Sequence, residues 1–300
     1  GGVLAVLTET GGAGGLGKLM AFDLNTGKLL WSRSYGKDEL TEGPTAAGPV
    51  IVMVEHGIVT AFDARTGAVR WVHGGLPGSV ESLAGPGNSV LLYQLLPQLS
   101  PSQHPVPASH LFPVTALNAA TGTAAWRMKT VGGVDDVAVG DGFILVGTSG
   151  PGRLTLLRPN GQVAWSVPEN VANGVTWVDT GTDLIYVSSD PSAPVGTKLV
   201  DRQLSTGATR WSTTLGGGGA DAVVVRPAGG NLIVADAPGS LSASSLALAV
   251  NPATGKVRAT ALLASFSDTP LTVTDGDTLM ELTAAACPQP AGAGMSTTHP

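Results

Sequence analysis

The side chains in this sequence that could do chemistry are mainly carboxylates that recur along the chain. Each stands just before, or at the start of, a short apolar run that predicts a β-strand. They are Glu42, Glu81, the neighbours Asp135 and Asp136, Asp221 and Asp268. If those strands surrounded one axis, the carboxylates would form a partial ring that attracts a cation or a basic peptide. The structural alternative is that they cap turns where strands begin.

Two other motifs resemble binding sites but stand in the wrong context. The run from Gly12 to Lys18 (GAGGLGK) is similar to a phosphate-binding loop. However, Leu19 occupies the place of the Mg²⁺-binding Ser or Thr, and the following residues predict a strand where phosphate binding needs a helix. His104 and His110 lie six apart in a Pro-rich segment, with no Cys or third His nearby. We therefore expect a flexible loop and solvated histidines.

Composition and charge exclude several classes of function. The net charge is −6 and the Lys and Arg residues are scattered, which argues against a nucleic-acid partner. The single cysteine, Cys287, excludes an intrachain disulfide within this sequence and a multi-cysteine metal site. No apolar run approaches the ~18 residues of a membrane-spanning helix, so no membrane insertion is predicted. His56 and His73 are expected at the surface.

Six copies of one short pattern predict the elements that position these residues. The copies are AFDLNTGKLLW at 21–31, AFDARTGAVRW at 61–71, ALNAATGTAAW at 116–126, LLRPNGQVAW at 156–165, DRQLSTGATRW at 201–211 and AVNPATGKVRA at 249–259. All six contain a glycine, at Gly27, Gly67, Gly122, Gly161, Gly207 and Gly255. Five have a tryptophan four residues later, at Trp31, Trp71, Trp126, Trp165 and Trp211, and Ala259 replaces the sixth. Successive copies start 39 to 55 residues apart if counted at the tryptophan, which is typical of four-stranded propeller blades.

Each position in the pattern has a folding role. The Asp or Asn four residues before the glycine can accept backbone N–H bonds and so start a turn. The glycine supplies the positive φ of a hairpin that ends in a bulge. The tryptophan falls on the last, outer strand, where its ring can pack largely buried against the neighbouring blade.

These segments resemble the tryptophan-docking repeats of pyrroloquinoline-quinone-like β-propellers, whose usual form is ALDAxTGxxxW. The resemblance covers residues 1–285. It implies an all-β fold, a β-propeller of four-stranded antiparallel blades with seven or eight blades in the full ring. Residues 1–286 would then hold five complete and two partial blades, and residues 287–300 are predicted to be a disordered tail.

Strand order predicts which loops share a face. The glycine turns join the third strand of a blade to the fourth, so the connections between the second and third strands leave from the opposite face. The insertions fall almost entirely there, at 10–17, 97–113, 189–196 and 237–244. Loops on a rigid scaffold are common binding sites. The predicted site is this loop-rich face, with the six carboxylates at its inner rim and residues 97–113 as a wall.

The resemblance carries two classes of function. Quinone dehydrogenases of this kind use a vicinal cysteine pair, a Glu/Asn/Asp set for Ca²⁺ and a catalytic Asp, none of which can be matched here, so no cofactor is expected. Scaffold propellers of the outer-membrane assembly machinery, and propellers attached to actinobacterial Ser/Thr kinases, are the other class, and the excess of Arg over Lys favours the second. We predict a non-catalytic, extracytoplasmic sensor or scaffold domain that binds a protein, peptide or small ligand. The alternative is a degenerate quinoprotein-type or sugar-processing enzyme.

Overall fold

The computed structural model describes strands and turns grouped into seven antiparallel sheets that follow one another along the chain. The described residues are 2–9, 17–35, 43–74, 80–94, 111–148, 152–169, 177–189, 197–215, 222–228, 230–237, 245–263, 271–275 and 278–282. Across these ranges, no helix has the length and apolar character that crossing a membrane requires.

Within each sheet, hydrogen-bonded neighbours are also neighbours in sequence. Sheet 1 contains β1 (Val3–Glu9), β2 (Gly17–Asp23) and β3 (Leu29–Tyr35). Sheet 2 contains β4 (Thr45–Ala47), β5 (Val50–Glu55), β6 (Ile58–Asp63) and β7 (Val69–His73). Sheet 3 contains β8 (Val80–Gly85), β9 (Ser89–Gln94), β10 (Leu111–Asn118) and β11 (Ala124–Val131). Sheet 4 contains β12 (Val134–Gly140), β13 (Phe143–Thr148), β14 (Arg153–Leu157) and β15 (Val163–Pro168).

The remaining three sheets continue the same order. Sheet 5 contains β16 (Trp177–Asp179), β17 (Asp183–Ser189), β18 (Thr197–Gln203) and β19 (Thr209–Thr214). Sheet 6 contains β20 (Ala222–Ala228), β21 (Asn231–Ala237), β22 (Ser245–Val250) and β23 (Val257–Leu263). Sheet 7 contains β24 (Leu271–Asp275) and β25 (Thr278–Leu282). This is the all-β propeller architecture that the repeat predicts.

Burial along the strands shows that the sheets stack face to face. All six residues of β13 are buried, because a neighbouring sheet covers each side of this second strand. The outer strand β11 instead alternates between exposed and covered residues. A separate apolar cluster fills each interface from sheets 1 and 2 to sheets 5 and 6, as Leu19 with Phe62 shows for the first. The core is therefore a series of layers between sheets, each dependent on its two neighbours.

The glycine turns have the geometry that their residue types predict. The six repeat glycines have φ between 66° and 81°, in the left-handed region that favours glycine. In the second repeat, Asp63 Oδ1 accepts the backbone N–H groups of Arg65 and Thr66 at 3.0 and 2.8 Å. The Arg70 side chain also binds Asp63, and these donors together hold the pKa of the Asp63 carboxyl well below its ordinary value. A register shift lies near the end of the strand that precedes each glycine turn, as at Ala61/Phe62 in β6.

Each of the five repeat tryptophans joins its own sheet to the next. The indole Nε1–H donates to a backbone carbonyl on the next sheet's glycine turn, over 2.8 to 2.9 Å. The acceptor is the carbonyl of Ala64 for Trp31, of Ala119 for Trp71, of Pro159 for Trp126, of Leu204 for Trp165 and of Pro252 for Trp211. Each ring also lies so close over the next repeat's glycine that an added Cβ would meet ring atoms at 2.4 to 2.8 Å. The glycine therefore serves both the turn and the stack.

The rings differ in burial. Trp71 and Trp165 are 9% and 7% exposed, whereas Trp31, Trp126 and Trp211 are only half-buried. The outer strands lie at the rim of the propeller, so one edge of a ring can remain in contact with solvent while the other covers the glycine. The prediction of largely buried rings thus applies most fully to Trp71 and Trp165, while the other three keep more contact with solvent.

Replacing a buried ring should cost more stability than replacing a half-buried one. Trp71→Ala removes a buried indole and its hydrogen bond to Ala119, and we expect a loss of about 3–5 kcal/mol in the free energy of unfolding. Trp126→Ala is the matched control and should cost clearly less, because part of its ring is already solvated. Urea unfolding followed by circular dichroism measures both. Equal losses for the two variants, or a loss below about 1 kcal/mol for Trp71→Ala, would show that the buried indole does not stabilise the contact between neighbouring sheets.

Candidate functional site

The described strand ends flank the four predicted insertions on one face. The insertions lie between the second and third strands of the four-stranded sheets, at β9 and β10, β17 and β18, and β21 and β22. In three-stranded sheet 1 the insertion lies between β1 and β2, which pair with each other and with β3 as the last three strands of the other sheets do. One boundary needs correction. The wall predicted at 97–113 ends earlier, because 111–113 already belong to β10, where Phe112 is buried against the apolar layer between sheets 3 and 4. Residues 97–110 lie outside the described part of the chain.

Three of the six predicted carboxylates fall within the described residues. Glu81 is the second residue of β8, and Asp135 and Asp136 are the second and third residues of β12. These two first strands contact each other. The Tyr93 hydroxyl donates to Glu81 Oε2 at 2.5 Å, which ties that carboxylate to its own sheet. The acidic rim remains a prediction.

Glu42, Asp221 and Asp268 lie outside the described residues.

A cleft lies between sheets 2 and 3, beside the insertion that separates β9 from β10. Its volume is about 250 Å³. The buried side chains of Val80, Leu92 and Leu117 contribute its apolar lining, and Gln94 stands where β9 runs into the insertion. A mostly apolar cavity with few polar groups is the usual form of a site for one ligand side chain or a small molecule.

Positive charge flanks this apolar cleft. Arg127 and Lys129 line it from the outer strand β11, and both are exposed. His73 forms the opposite wall from β7, where its Nε2 lies 2.6 Å from the Gly122 carbonyl oxygen and its ring meets Trp71 edge-on. His73 is thus half-buried between two sheets, not the plain surface residue expected. Two cations beside an apolar floor favour a ligand with both a carboxylate and an apolar group.

The repeat pattern did not predict a polar network between sheets 4 and 5. Glu169, just after β15, accepts hydrogen bonds from the Tyr186 hydroxyl at 3.0 Å, from Ser188 Oγ and from the Arg202 guanidinium. Arg202 Nε also donates to the Tyr186 hydroxyl at 2.7 Å, and its Nη1 donates to the Gly207 carbonyl at 2.9 Å. Burial, followed by the negative charge of Glu169, raises the pKa of Tyr186. This network fixes sheet 5 against sheet 4.

A second charged group lies on the other side of sheet 5, facing sheet 6. Asp183 pairs with Arg210 and is 7% exposed, and Asp201 is 1% exposed. In the described structure, Oδ1 of each aspartate is buried without a hydrogen-bond partner. Burial is the main cause that raises the pKa of Asp201 to about 6, and the negative charge of neighbouring Asp183 adds to it, whereas the positive charge of Arg210 acts in the opposite direction.

The sequence did carry a signal for both groups. Asp201 and Arg202 stand in columns that hold Ala21 and Phe22 in the first repeat, and Ala61 and Phe62 in the second. Two charges in strand positions that are apolar elsewhere mark the fifth repeat as different. Their partners cannot be read from the pattern, because Glu169 and Asp183 come from segments outside the repeated motif.

The fold resemblance raises the question of a Ca²⁺-bound quinone. Among the described residues, no three His, Cys, Asp or Glu side chains come together as a possible metal site. Asp183 and Asp201 form only a pair, and Arg210 already neutralises one of them. The described residues therefore do not fit such a group.

The raised pKa of Asp201 gives a test of this region. Because the folded-state pKa (about 6) exceeds the ordinary value of 3.8, the associated stability is present below pH 4 and is lost as pH rises through 6. Asp201→Asn should remove this dependence and become more stable than the parent at pH 7, by up to about 3 kcal/mol. Urea unfolding at pH 4, 5, 6 and 7 measures the effect. A constant difference between the two proteins at all four values would contradict it.

Comparisons with known proteins agree on the architecture. A propeller structure from Moraxella catarrhalis, BamB, is 18% identical, with a TM-score of 0.52 over 84% of this chain and 73% of that one. A europium-containing methanol dehydrogenase is 13% identical, with a TM-score of 0.54 over 88% and 70%. The dihydro-heme d1 dehydrogenase NirN is 13% identical, with a TM-score of 0.56 over 81% and 52%, so this chain spans about half of NirN. Identities this low show the fold alone.

No individual curated protein matches the sequence well enough to count as a relative. One family model does match, over residues 1–96 and 112–275, which is most of the chain. The interruption coincides with the insertion that separates β9 from β10. With the repeat turns and the propeller sheets, this match shows that the chain belongs to the pyrroloquinoline-quinone-like propeller family described as outer membrane protein assembly factor BamB.

Proposed function

We propose that this chain is a non-catalytic protein-binding propeller, a scaffold or sensor domain that works outside the cytoplasm. The family description supports a role in assembling other proteins. The observation that carries the proposal is the cleft between sheets 2 and 3, which joins an apolar floor to two exposed cations beside the longest insertion.

The chemistry of the cleft suits a segment of a protein partner. Leu92 and Leu117 are buried beneath it, so an apolar side chain that enters would leave water and contact a prepared apolar surface. Arg127 and Lys129 would then lie beside the backbone or side chains that flank this anchor. An acidic residue next to a leucine or phenylalanine matches both features, and the positive charges would also speed the encounter.

The acidic rim is a separate part of the same proposal. Glu81, Asp135 and Asp136 belong to the starts of first strands, whereas Arg127 and Lys129 belong to β11, the last strand of sheet 3. First strands are the innermost strands of a propeller blade, so we expect these carboxylates nearer to the axis. The loop-rich face would thus present negative charge inside and positive charge outside. A partner that complements this separation would bind in one orientation, because rotating it would place like charges together.

The enzymatic alternative has less support. Methanol dehydrogenase and NirN share the fold, but a common fold does not transfer a reaction. The charged groups at sheet 5 are engaged with one another: Glu169 pairs with Arg202 between sheets 4 and 5, and Asp183 pairs with Arg210 within sheet 5. We propose that these groups serve the scaffold.

Binding at the cleft can be tested with a labelled peptide that has one phenylalanine between glutamates. We expect the peptide to bind the parent chain and to bind less tightly as salt concentration rises. Arg127→Glu combined with Lys129→Glu should weaken binding at least tenfold. Fluorescence anisotropy measures each affinity.

The matched control places the same change of charge on the glycine-turn face. Arg158→Glu combined with Lys256→Glu alters one exposed Arg and one exposed Lys there, and should leave binding within about twofold of the parent. If both double variants weaken binding equally, the attraction is one of net charge and the cleft is not the site.

A catalytic test separates the two classes of function. We expect no sustained dye-linked oxidation of alcohols or aldose sugars when the chain is mixed with pyrroloquinoline quinone and Ca²⁺. Turnover that disappears when the quinone is withdrawn would overturn the proposal. A rise in melting temperature with quinone but no turnover would indicate a small-molecule sensor, because a ligand that binds only the native state stabilises it.

A further inference from the structure

The cleft between sheets 2 and 3 contains two polar side chains that the described fold does not use. Gln94, at the end of β9, is 9% exposed, and Thr115, in β10, is half-buried. Both line the cleft, and the contacts of the described chain give neither side chain a hydrogen-bond partner. Whatever enters the cleft displaces water from these groups, so it must replace those hydrogen bonds or lose affinity.

Other polar groups around the cleft already have a role in the fold. His73 Nε2 lies 2.6 Å from the Gly122 carbonyl oxygen, and the Tyr93 hydroxyl donates to Glu81. The amide of Gln94 differs from these groups, since it is buried at a strand end and bonded to none of the described residues. Because an unpaired buried polar group costs stability, its presence in the cleft indicates a use outside the fold.

Strand register places these groups on the side of sheet 3 that faces the cleft. Leu92, Thr115 and Arg127 are paired across β9, β10 and β11, so they share one side of the sheet. Gln94 follows Leu92 by two residues and Lys129 follows Arg127 by two, so both lie on that same side. An entering chain would therefore meet a buried apolar floor and two uncharged polar groups, with the two cations on the last strand.

The chemistry of the Gln94 side chain selects the form of the ligand. A primary amide presents a donor and an acceptor side by side. In an extended chain the N–H and C=O of one residue point to the same side, as in the hydrogen-bonded pairs of an antiparallel sheet, so one such residue can pair with both. A helical segment uses these groups internally. A carboxylate alone would leave the amide oxygen unpaired, because an ionised carboxylate has no donor.

We propose that the Gln94 amide binds the main chain of an extended partner segment, through the N–H and C=O of one of its residues, and that the Thr115 hydroxyl binds a neighbouring main-chain group. This inference rests on the proposed function and adds the conformation in which the partner enters the cleft. The main-chain bonds favour an extended strand of any sequence. The apolar floor and the two cations then select a strand with an apolar anchor beside acidic residues.

Replacing groups that serve a partner should not harm the free fold. Gln94→Leu and Thr115→Val remove the polar atoms and nearly keep the volume, so the urea midpoint of unfolding should stay at the parent's value or rise. Thr130→Val is the matched control, because Thr130 is 7% exposed but its Oγ1 lies 3.2 Å from Phe112 O and 3.1 Å from Gly132 O. This variant should have a lower midpoint. An equal fall for all three variants would assign Gln94 and Thr115 to the fold and overturn the proposal.

Peptide binding should change in the opposite direction from stability. The probe is the labelled peptide with one phenylalanine between glutamates, titrated with the full chain and followed by fluorescence anisotropy. Gln94→Leu should weaken its binding about tenfold or more, because the main-chain groups that the amide paired would be left without partners. Thr115→Val should weaken it about threefold or more. Thr130→Val should bind like the parent. Unchanged affinity for Gln94→Leu would contradict the proposal.

An ester linkage in place of one peptide bond tests the hydrogen bond itself, since it removes one N–H with little change of shape. Ester replacements at the phenylalanine and at each flanking glutamate, one at a time, should weaken binding to the parent about tenfold at one position. The same ester should weaken binding to Gln94→Leu about twofold at most, because the partner of that N–H is already gone.

The outcomes separate this inference from the function on which it rests. Equal losses in the parent and in Gln94→Leu, or no loss at any position, would contradict main-chain pairing and leave the proposed function in place. A peptide that fails to bind the parent chain would contradict the proposed function, and this inference with it.

Discussion

The structure depends on one repeated contact, an indole that stacks over a glycine turn and donates its N–H to that turn's carbonyl. Propeller sheets share few backbone hydrogen bonds with one another, so the interfaces rest on apolar layers, which are not directional. The tryptophan adds a directional bond between neighbours at each of five interfaces. The contact also gives two separate reasons why another residue cannot replace the glycine. The turn requires a positive φ, and the indole ring lies so close to the glycine that no Cβ would fit.

Much of this arrangement could be predicted from residue types and spacing. The Asp, Thr and Gly of each turn act locally, within a few residues, so Asp63 and Gly67 could be assigned their roles from the sequence. Burial of the rings was harder to predict, because the exposure of Trp126 depends on how far the next sheet extends around it. The start of β10 was also predicted too late, since the sequence before it is rich in proline and was assigned to a loop, whereas Phe112 is buried in the core.

The candidate sites could be predicted only in part, and for a physical reason. Glu81 and Asp135 could be placed on neighbouring first strands, because blade topology orders those strands around the axis. The cleft could not, since it arises where side chains of two sheets fail to fill the space between them, as between His73 and Thr115. The network of Glu169 with Arg202 likewise joins residues 33 apart through side chains whose directions no repeat determines. The scaffold is encoded by local rules, whereas the surfaces that differ between repeats depend on packing.

That same distinction connects the scaffold to its proposed roles. Where the repeat is regular, the sheets are joined and covered. Where it departs from regularity, at the long insertion and in the charged fifth repeat, chemical groups become available for another purpose. The fifth repeat uses them within the fold, and we propose that those beside the long insertion bind a partner.

The most direct test of the central contact is hydrogen exchange of the indole N–H groups, followed by NMR of the chain with ¹⁵N-labelled tryptophan. If each of the five indoles donates to a turn on the next sheet, their N–H signals should exchange much more slowly than that of a free indole, with Trp71 and Trp165 the slowest because they are also the most buried. Exchange of these five signals at the rate of free indole would show that the rings do not hold neighbouring sheets together, and would contradict the account.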